Sequence, residues 1–204
     1  MIILSHPTGN SVVRNTLDAF SAAGILERYW TCVCWNASAR ANRLLPASIK
    51  TELGRRAYSR PVLEKTRCRP WLEAGRLLAQ KLALSGLSRH EKGPLSIDAV
   101  YRDLDRRVAR DLLQRPGGTV YAYEDCACET FGRAKTLGMN RVYDLPIGYW
   151  RAAQAIQKEE AELQPEWAAT LPATLDSESK CGRKDEELKL ATQIVVASSF
   201  TQKT

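Results

Sequence analysis

Residues Gly117 to Pro146 read GGTVYAYEDCACETFGRAKTLGMNRVYDLP, and the fold is decided here. A glycine pair leads into an apolar run, Thr119 to Ala122, which stops at Glu124 and Asp125. Asp125 is placed to cap a following helix, and Glu129 falls in its first or second turn, near the positive end of the dipole. Phe131, Ala134 and Leu137 recur at helical spacing, and Gly138 ends the helix as a C′ glycine does. A second apolar run, Arg141 to Tyr143, reaches Asp144 and stops at Pro146. The pattern is strand, helix, strand, a crossover that is almost always parallel and right-handed. Ligands of such sheets bind beyond the carboxyl ends of the strands, where Glu124, Asp125 and Asp144 fall. Each of the three also fits a plain cap or turn residue.

Upstream, Ile2 to Leu4 is a short strand followed by Ser5-His6-Pro7-Thr8-Gly9-Asn10. Ser11 or Asn10 caps the next helix, whose apolar face is Val12, Val13, Leu17, Phe20 and Ile25. A strand, a glycine loop and a helix N-terminus make a place for an anion or a sugar hydroxyl. The loop is not G-x-G-x-x-G, so it carries no dinucleotide fingerprint. His6 suits a base or hydrogen-bond donor to a ligand, or a turn histidine. Tyr29 to Trp35 reads as the second strand, ending at Asn36.

Helical patterns then cover Pro46 to Tyr58 (Ile49, Leu53, Ala57), Trp71 to Leu84 (Leu72, Leu77, Leu78, Leu82) and Ser96 to Leu113 (Val100, Leu104, Val108, Leu112). They form a helical insertion over about 40–115, with 18 Lys and Arg against 8 Asp and Glu. That surplus suits a phosphate, nucleic acid or an anionic membrane surface, or plain solvated helix faces. Downstream come helices at Tyr149 to Leu163 (Trp150, Ala153, Ile156, Leu163) and Ser177 to Ala191 (Leu188 and Ala191 inward). A strand follows at Ile194 to Ala197, with Ser198-Ser199 as a cap.

The 204 residues carry a net charge of +7, 44% hydrophobic and 26% charged residues, values of an ordinary globular domain. Met1 to Leu4 is too short for a signal peptide, and no run approaches membrane-spanning length, so a cytoplasmic protein is expected. Six cysteines in C-x-C pairs and singles lack C-x2-C zinc spacing and are expected as free buried thiols. The fold class expected is α/β, a Rossmann-like three-layer domain around a mainly parallel sheet.

Three segments, IILSHPTGNSVVRNTLDAFSAAG (2–24), VYAYEDCACETFGRAKTLGMNRVYDLPIGYW (120–150) and KDEELKLATQIVVASSFTQKT (184–204), together resemble the amino-terminal half of a family 4 glycosyltransferase. Such enzymes are retaining and have the two-Rossmann GT-B fold. The resemblance implies that this half binds a glycan or lipid-linked acceptor through its strand-end loops. It implies that the nucleotide sugar is held by a second half outside these residues, with no cofactor or metal. Gly9 matches the family's glycine loop, and Glu124 and Asp125 match the loop after the preceding strand. Asp144 stands where many members have an active-site histidine. Asp144 and His6 are therefore the candidate catalytic residues, and Gly9, Asn10, Asn36, Glu124, Asp125 and Tyr149 the candidate substrate-binding ones.

Glu178 and Glu186 share the E-x7-E spacing of family donor sites. In the family that spacing follows a strand of the second half, beside glycines; here it lies on a charged helix ahead of the last strand, and reads as solvated surface. The partners expected are thus an acceptor, a nucleotide sugar through the second half, and an anionic membrane face; no nucleic acid is expected. A stand-alone Rossmann-like module for a nucleotide or protein, and a nucleic-acid-binding protein on the basic helices, are the rival readings.

Overall fold

A computed structural model describes residues 1–36, 50, 51, 54 and 56–204. The amino-terminal part runs β1 (Ile2–Ser5), α1 (Ser11–Ala22), β2 (Leu26–Thr31), α2 (Arg60–Lys65), β3 (Thr66–Cys68), α3 (Pro70–Lys81) and α4 (Ile97–Asp111). Then follow β4 (Thr119–Tyr123), α5 (Cys128–Thr136), β5 (Asn140–Leu145), α6 (Trp150–Leu163), α7 (Glu178–Leu190), β6 (Gln193–Val196) and α8 (Ser199–Lys203). The strands form one all-parallel sheet in the order β3-β2-β1-β4-β5-β6. Strand order reverses between β1 and β4, as in a doubly wound Rossmann-like sheet.

Alternation along the strands feeds two cores. Ile3, Val120, Ala122 and Tyr143 pack with Leu104 and Val108 of α4 and Phe131 and Ala134 of α5. Leu4, Tyr29, Tyr121 and Val142 face the other way, against Val13 and Leu17 of α1 and Val62 of α2. Strands buried on both faces have to be apolar at nearly every position, as VYAY and VY are. The turn into β4 needs glycine: Gly118 has φ +81°, and a Cβ there would press on the Met1 carbonyl.

Several expected elements differ. The second strand ends at Thr31, not Trp35, because Pro7 O takes the Cys32 N–H and Trp35 keeps only a single bridge to Ala57. The helix expected over Pro46 to Tyr58 lies mostly outside the described residues, including Ile49 and Leu53. Cys34 and Cys68 are joined in a disulfide, with Cα atoms 6.3 Å apart, rather than being free thiols. That bond fastens the chain leaving β2 to the end of β3, a strand the sequence patterns do not show. Cys32, Cys126 and Cys181 are free and buried, and Cys128 is free and half-buried.

The apolar faces expected at three helices hold only in part: Val13, Leu17 and Phe20 of α1, Leu72 of α3 and Trp150 of α6 pack against the core. Val12 of α1, Leu78 of α3 and Ile156 and Leu163 of α6 are exposed, and α6 buries no residue. By contrast Val100, Leu104, Val108 and Leu112 are all buried, and the caps Asn10, Ser96, Ser177 and Ser198 accept from Val13, Ala99, Lys180 and Thr201 N–H groups.

The start of α5 is held by carboxylates from two other helices, not by Asp125. Glu187 of α7 accepts from the N–H groups of Asp125 (2.9 Å), Ala127 (3.0 Å) and Cys128 (3.2 Å). Asp105 of α4 accepts from Glu129 N–H (2.8 Å) and Thr130 N–H (2.9 Å). Asp125 itself sits at φ +68°, a left-handed turn that aspartate tolerates better than most residues.

Glu187→Ala strips three N–H groups of their acceptor and is expected to cost about 2–3 kcal/mol in urea unfolding. Burial, with Asp125 and Asp105 close by, raises Glu187 from 4.5 to about 8. The folded chain therefore holds this proton more tightly than the unfolded one. The stability it gives is full below pH 4.5 and is lost as the pH rises through about 8. Glu187→Gln, with no proton to lose, should flatten that fall in stability curves measured across the range.

Candidate functional site

The carboxyl edge of the sheet divides into two sides. On the α1 side, β1 runs into His6, whose Nδ1 accepts from Thr8 N–H (3.1 Å) and Gly9 N–H (2.8 Å). The acceptor role of Nδ1 fixes the neutral tautomer with the proton on Nε2. Burial lowers the His6 pKa from 6.5 to about 4, and its ring stands edge-on to Tyr123, centroids 4.6 Å apart. Gly9, at φ +63°, lies against the hydroxyls of Tyr58 and Tyr29, which are 3.0 Å apart and leave no room for a Cβ. The Gly9 loop is thus lined by the chain's own tyrosines. Asn10 is the α1 cap, its Oδ1 taking the Val13 N–H at 2.9 Å.

Asp144 belongs to this side, and it lies within β5 rather than after it. It is 8% exposed, and the Tyr121 hydroxyl donates to its Oδ2 at 2.6 Å. Burial raises its pKa, with the Tyr121 bond acting the other way. Asn36 is exposed beyond the end of β2.

The α7 side holds a cleft of 360 Å³. Its charged wall is Glu124 and Asp125 from the turn after β4, Asp176 ahead of α7, and Lys180 and Lys184 on α7. Ile97, Ile147 and Trp150 give it apolar surface, and His90 and Gln157 also line it. Lys180 Nζ reaches Asp176 (2.9 Å), Asp98 (3.1 Å) and Asp125 (3.7 Å). Lys184 Nζ reaches Asp176 (3.0 Å), Glu124 (3.5 Å) and Asp125 (3.8 Å). Burial works to raise Asp176, but hydrogen bonds from both lysines outweigh it and hold the carboxyl below its usual value. Asp98 is lowered likewise, burial being overcome by the charge of Lys180. Glu124 is the exception: burial keeps it above its usual value despite Lys184.

Two carboxylate oxygens here are enclosed without a hydrogen-bond donor among the described residues, Glu124 Oε1 and Asp125 Oδ1. Arg183 Nη2 stands 3.6 Å from the latter. At the mouth, His90, Glu91 and Asp176 bring one potential metal-ligand atom each within 4.8 Å of one another. Their carboxylates already have partners, since Ser177 N–H donates to Glu91 (2.8 Å) and Lys180 supplies the positive charge beside Asp176.

Of the residues expected from sequence, the structure brings Glu124 and Asp125 together in this cleft, and His6, Gly9, Asn10 and Asp144 on the opposite side. Tyr149 is 8% exposed, and its hydroxyl donates to Asp185, which also takes the Trp150 Nε1–H at 2.8 Å. Burial and that bond raise Tyr149 to about 12. The sequence reading missed Asp98, Asp176, Lys180 and Lys184. The signal for the last three is the i, i+4, i+8 spacing of Asp176, Lys180 and Lys184, which marks one face; Asp98 has no such signal. Glu178 and Glu186 are exposed, as expected.

Lys180→Met leaves the buried Asp98 without its lysine, while Asp176 keeps Lys184, and is expected to destabilise by about 3 kcal/mol, read by urea unfolding. For His6 the proton is bound less tightly in the fold, so its contribution is full above pH 6.5 and is lost as the pH falls through about 4. A His6→Asn chain should lack this acid-side loss in thermal melts run over that range.

Comparison with protein-family models, with curated proteins and with solved structures returns no match to this chain.

Proposed function

We propose that the chain is the acceptor-binding half of a retaining glycosyltransferase of the GT-B kind, taking a glycan or lipid-linked acceptor in the cleft between β4 and α7. The reading joins the family resemblance of the three segments to an all-parallel sheet in the order β3-β2-β1-β4-β5-β6. The observation that carries the acceptor site is Glu124 Oε1, enclosed beside the cleft with no donor among the described residues. A sugar hydroxyl is a donor that this carboxylate takes once its side chain turns toward the cleft. Ile97, Ile147 and Trp150 give the apolar surface that a sugar ring's C–H face covers, and Gln157, Lys180 and Asp176 offer further polar contacts.

Glycosyl transfer passes through an oxocarbenium-like transition state while charge grows on the departing diphosphate. On this reading Glu124 holds the attacking hydroxyl and draws its hydrogen bond, a task suited to a carboxylate whose pKa is raised by burial. The Thr8 and Gly9 amides are taken by His6. Stabilising the diphosphate then falls to the second, nucleotide-sugar half. Asp144, within β5 and bonded to Tyr121, acts as a support for the edge rather than as a group on the reacting atoms.

Calorimetric titration of the chain with a panel of oligosaccharides, nucleotides, nucleotide sugars and NAD tests this. Saccharide binding that weakens about tenfold in Glu124→Gln is expected, the loss of one charged hydrogen bond. Tight binding of NAD or a nucleotide by the chain alone would overturn the reading in favour of a stand-alone nucleotide module.

A further inference from the structure

Helix α3 packs Leu72 against the core and carries further large apolar side chains on its outward side. Its inward residues include Glu73, 2% exposed and gripped by Arg76 at 2.7 Å and Arg56 at 3.7 Å, together with Ala79. Its outward residues are Trp71 (78% exposed), Leu78 (57%) and Leu82 (60%), with Leu84 and Leu87 exposed in the turns that follow. Trp71, Ala74, Leu78 and Leu82 are spaced by three or four residues and so share one stripe. A helix that buries an ion pair and turns a tryptophan and leucines outward has an apolar stripe that no described residue covers.

The charge on the same segment points to what would cover it. Between Pro70 and Lys92 the exposed charged residues are Lys81, Arg89 and Lys92, all cationic apart from the half-exposed His90. The two carboxylates of the segment are turned away: Glu73 is buried, and Glu91 accepts from Ser177 N–H at 2.8 Å. Large apolar side chains beside cations, with no exposed carboxylate among them, match the boundary between acyl chains and anionic headgroups. Among the described residues no helix is long and apolar enough to cross a membrane, so the contact is a surface one.

We propose that α3 and the turns after it, through Lys92, form a docking face for an anionic lipid bilayer, with Trp71, Leu78 and Leu82 entering the interface and Lys81, Arg89 and Lys92 meeting the headgroups. The proposal does not depend on the glycosyltransferase reading and holds for any activity of the cleft.

The test is flotation of the full 204-residue chain with vesicles of phosphatidylcholine plus phosphatidylglycerol, against phosphatidylcholine alone. Binding to the anionic vesicles is expected to exceed that to neutral ones by about tenfold or more and to fall as salt is added. Leu78→Ser with Leu82→Ser should lower it by about tenfold, and Lys81→Glu with Arg89→Glu should abolish the preference for the anionic lipid. Trp71→Ser, a single exposed change, gives a second reading of the apolar contact should the double leucine variant fail to keep the wild-type circular dichroism. Absence of vesicle binding would overturn the proposal, as would binding untouched by these substitutions. A concentration-dependent dimer that the leucine variant dissolves would assign the face to a second copy of the chain and overturn it equally.

Discussion

Two buried carboxylates at the start of α5 organise the edge of the sheet. Asp105 comes from α4 and Glu187 from α7, and between them they accept five successive or near-successive N–H groups of one turn. A helix start without such partners leaves several N–H groups unsatisfied, which in a buried setting is costly. Here the need is met from outside the helix, so capping α5 also docks α4 and α7 against it. The position of α7 follows, and with it the positions of Lys180 and Lys184. Because Asp105 and Glu187 take these N–H groups, the helix start has none of them left for a ligand.

That cleft is a buried charge network, and such networks rarely add net stability compared with apolar packing. Two lysines lie among Asp98, Glu124, Asp125 and Asp176, and the acids outnumber the cations that reach them. The imbalance falls on Glu124 and Asp125, each of which keeps an oxygen without a donor. Unmet acceptors in an enclosed place carry a cost that a hydroxyl-bearing ligand would relieve. The same residues that carry this cost are the ones to which the proposed acceptor site is assigned.

The sheet was legible because its strands follow simple rules. VYAY and VY, each bounded by glycine or proline, give β4 and β5, and the periodicity of Val100, Leu104, Val108 and Leu112 gives α4. What was not legible are faces made of charge. In α7 the buried positions Lys180, Cys181, Lys184 and Glu187 recur at helical spacing, but hydrophobic periodicity is blind to lysine and glutamate. The same blindness blurs α3, where Leu72 packs against the core as its leucines suggest but Leu78 and Leu82 are exposed and Glu73 is buried. Asp125 looks like a cap from its place before α5, and only tertiary contacts from Asp105 and Glu187 displace it. The Cys34–Cys68 pairing depends on β3 lying beside β2, a neighbour relation that spacing does not encode.

The two sides of the carboxyl edge differ in kind, and the difference assigns their roles. On the α1 side most polar groups satisfy one another: His6 is neutral and bonded to the Thr8 and Gly9 amides, Tyr29 meets Tyr58, and Tyr121 meets Asp144, while the buried Tyr123 hydroxyl has no partner among the described residues. Each of these contacts joins groups already on the chain. On the α7 side the ammonium groups are shared among more carboxylates than they can neutralise, and open volume adjoins them. A polar ligand approaching the first side would have to break bonds that the fold already makes. Beside the second lie carboxylate oxygens without donors among the described residues, which is why the proposed acceptor site is placed at Glu124 rather than at His6 or at Asp144 within β5.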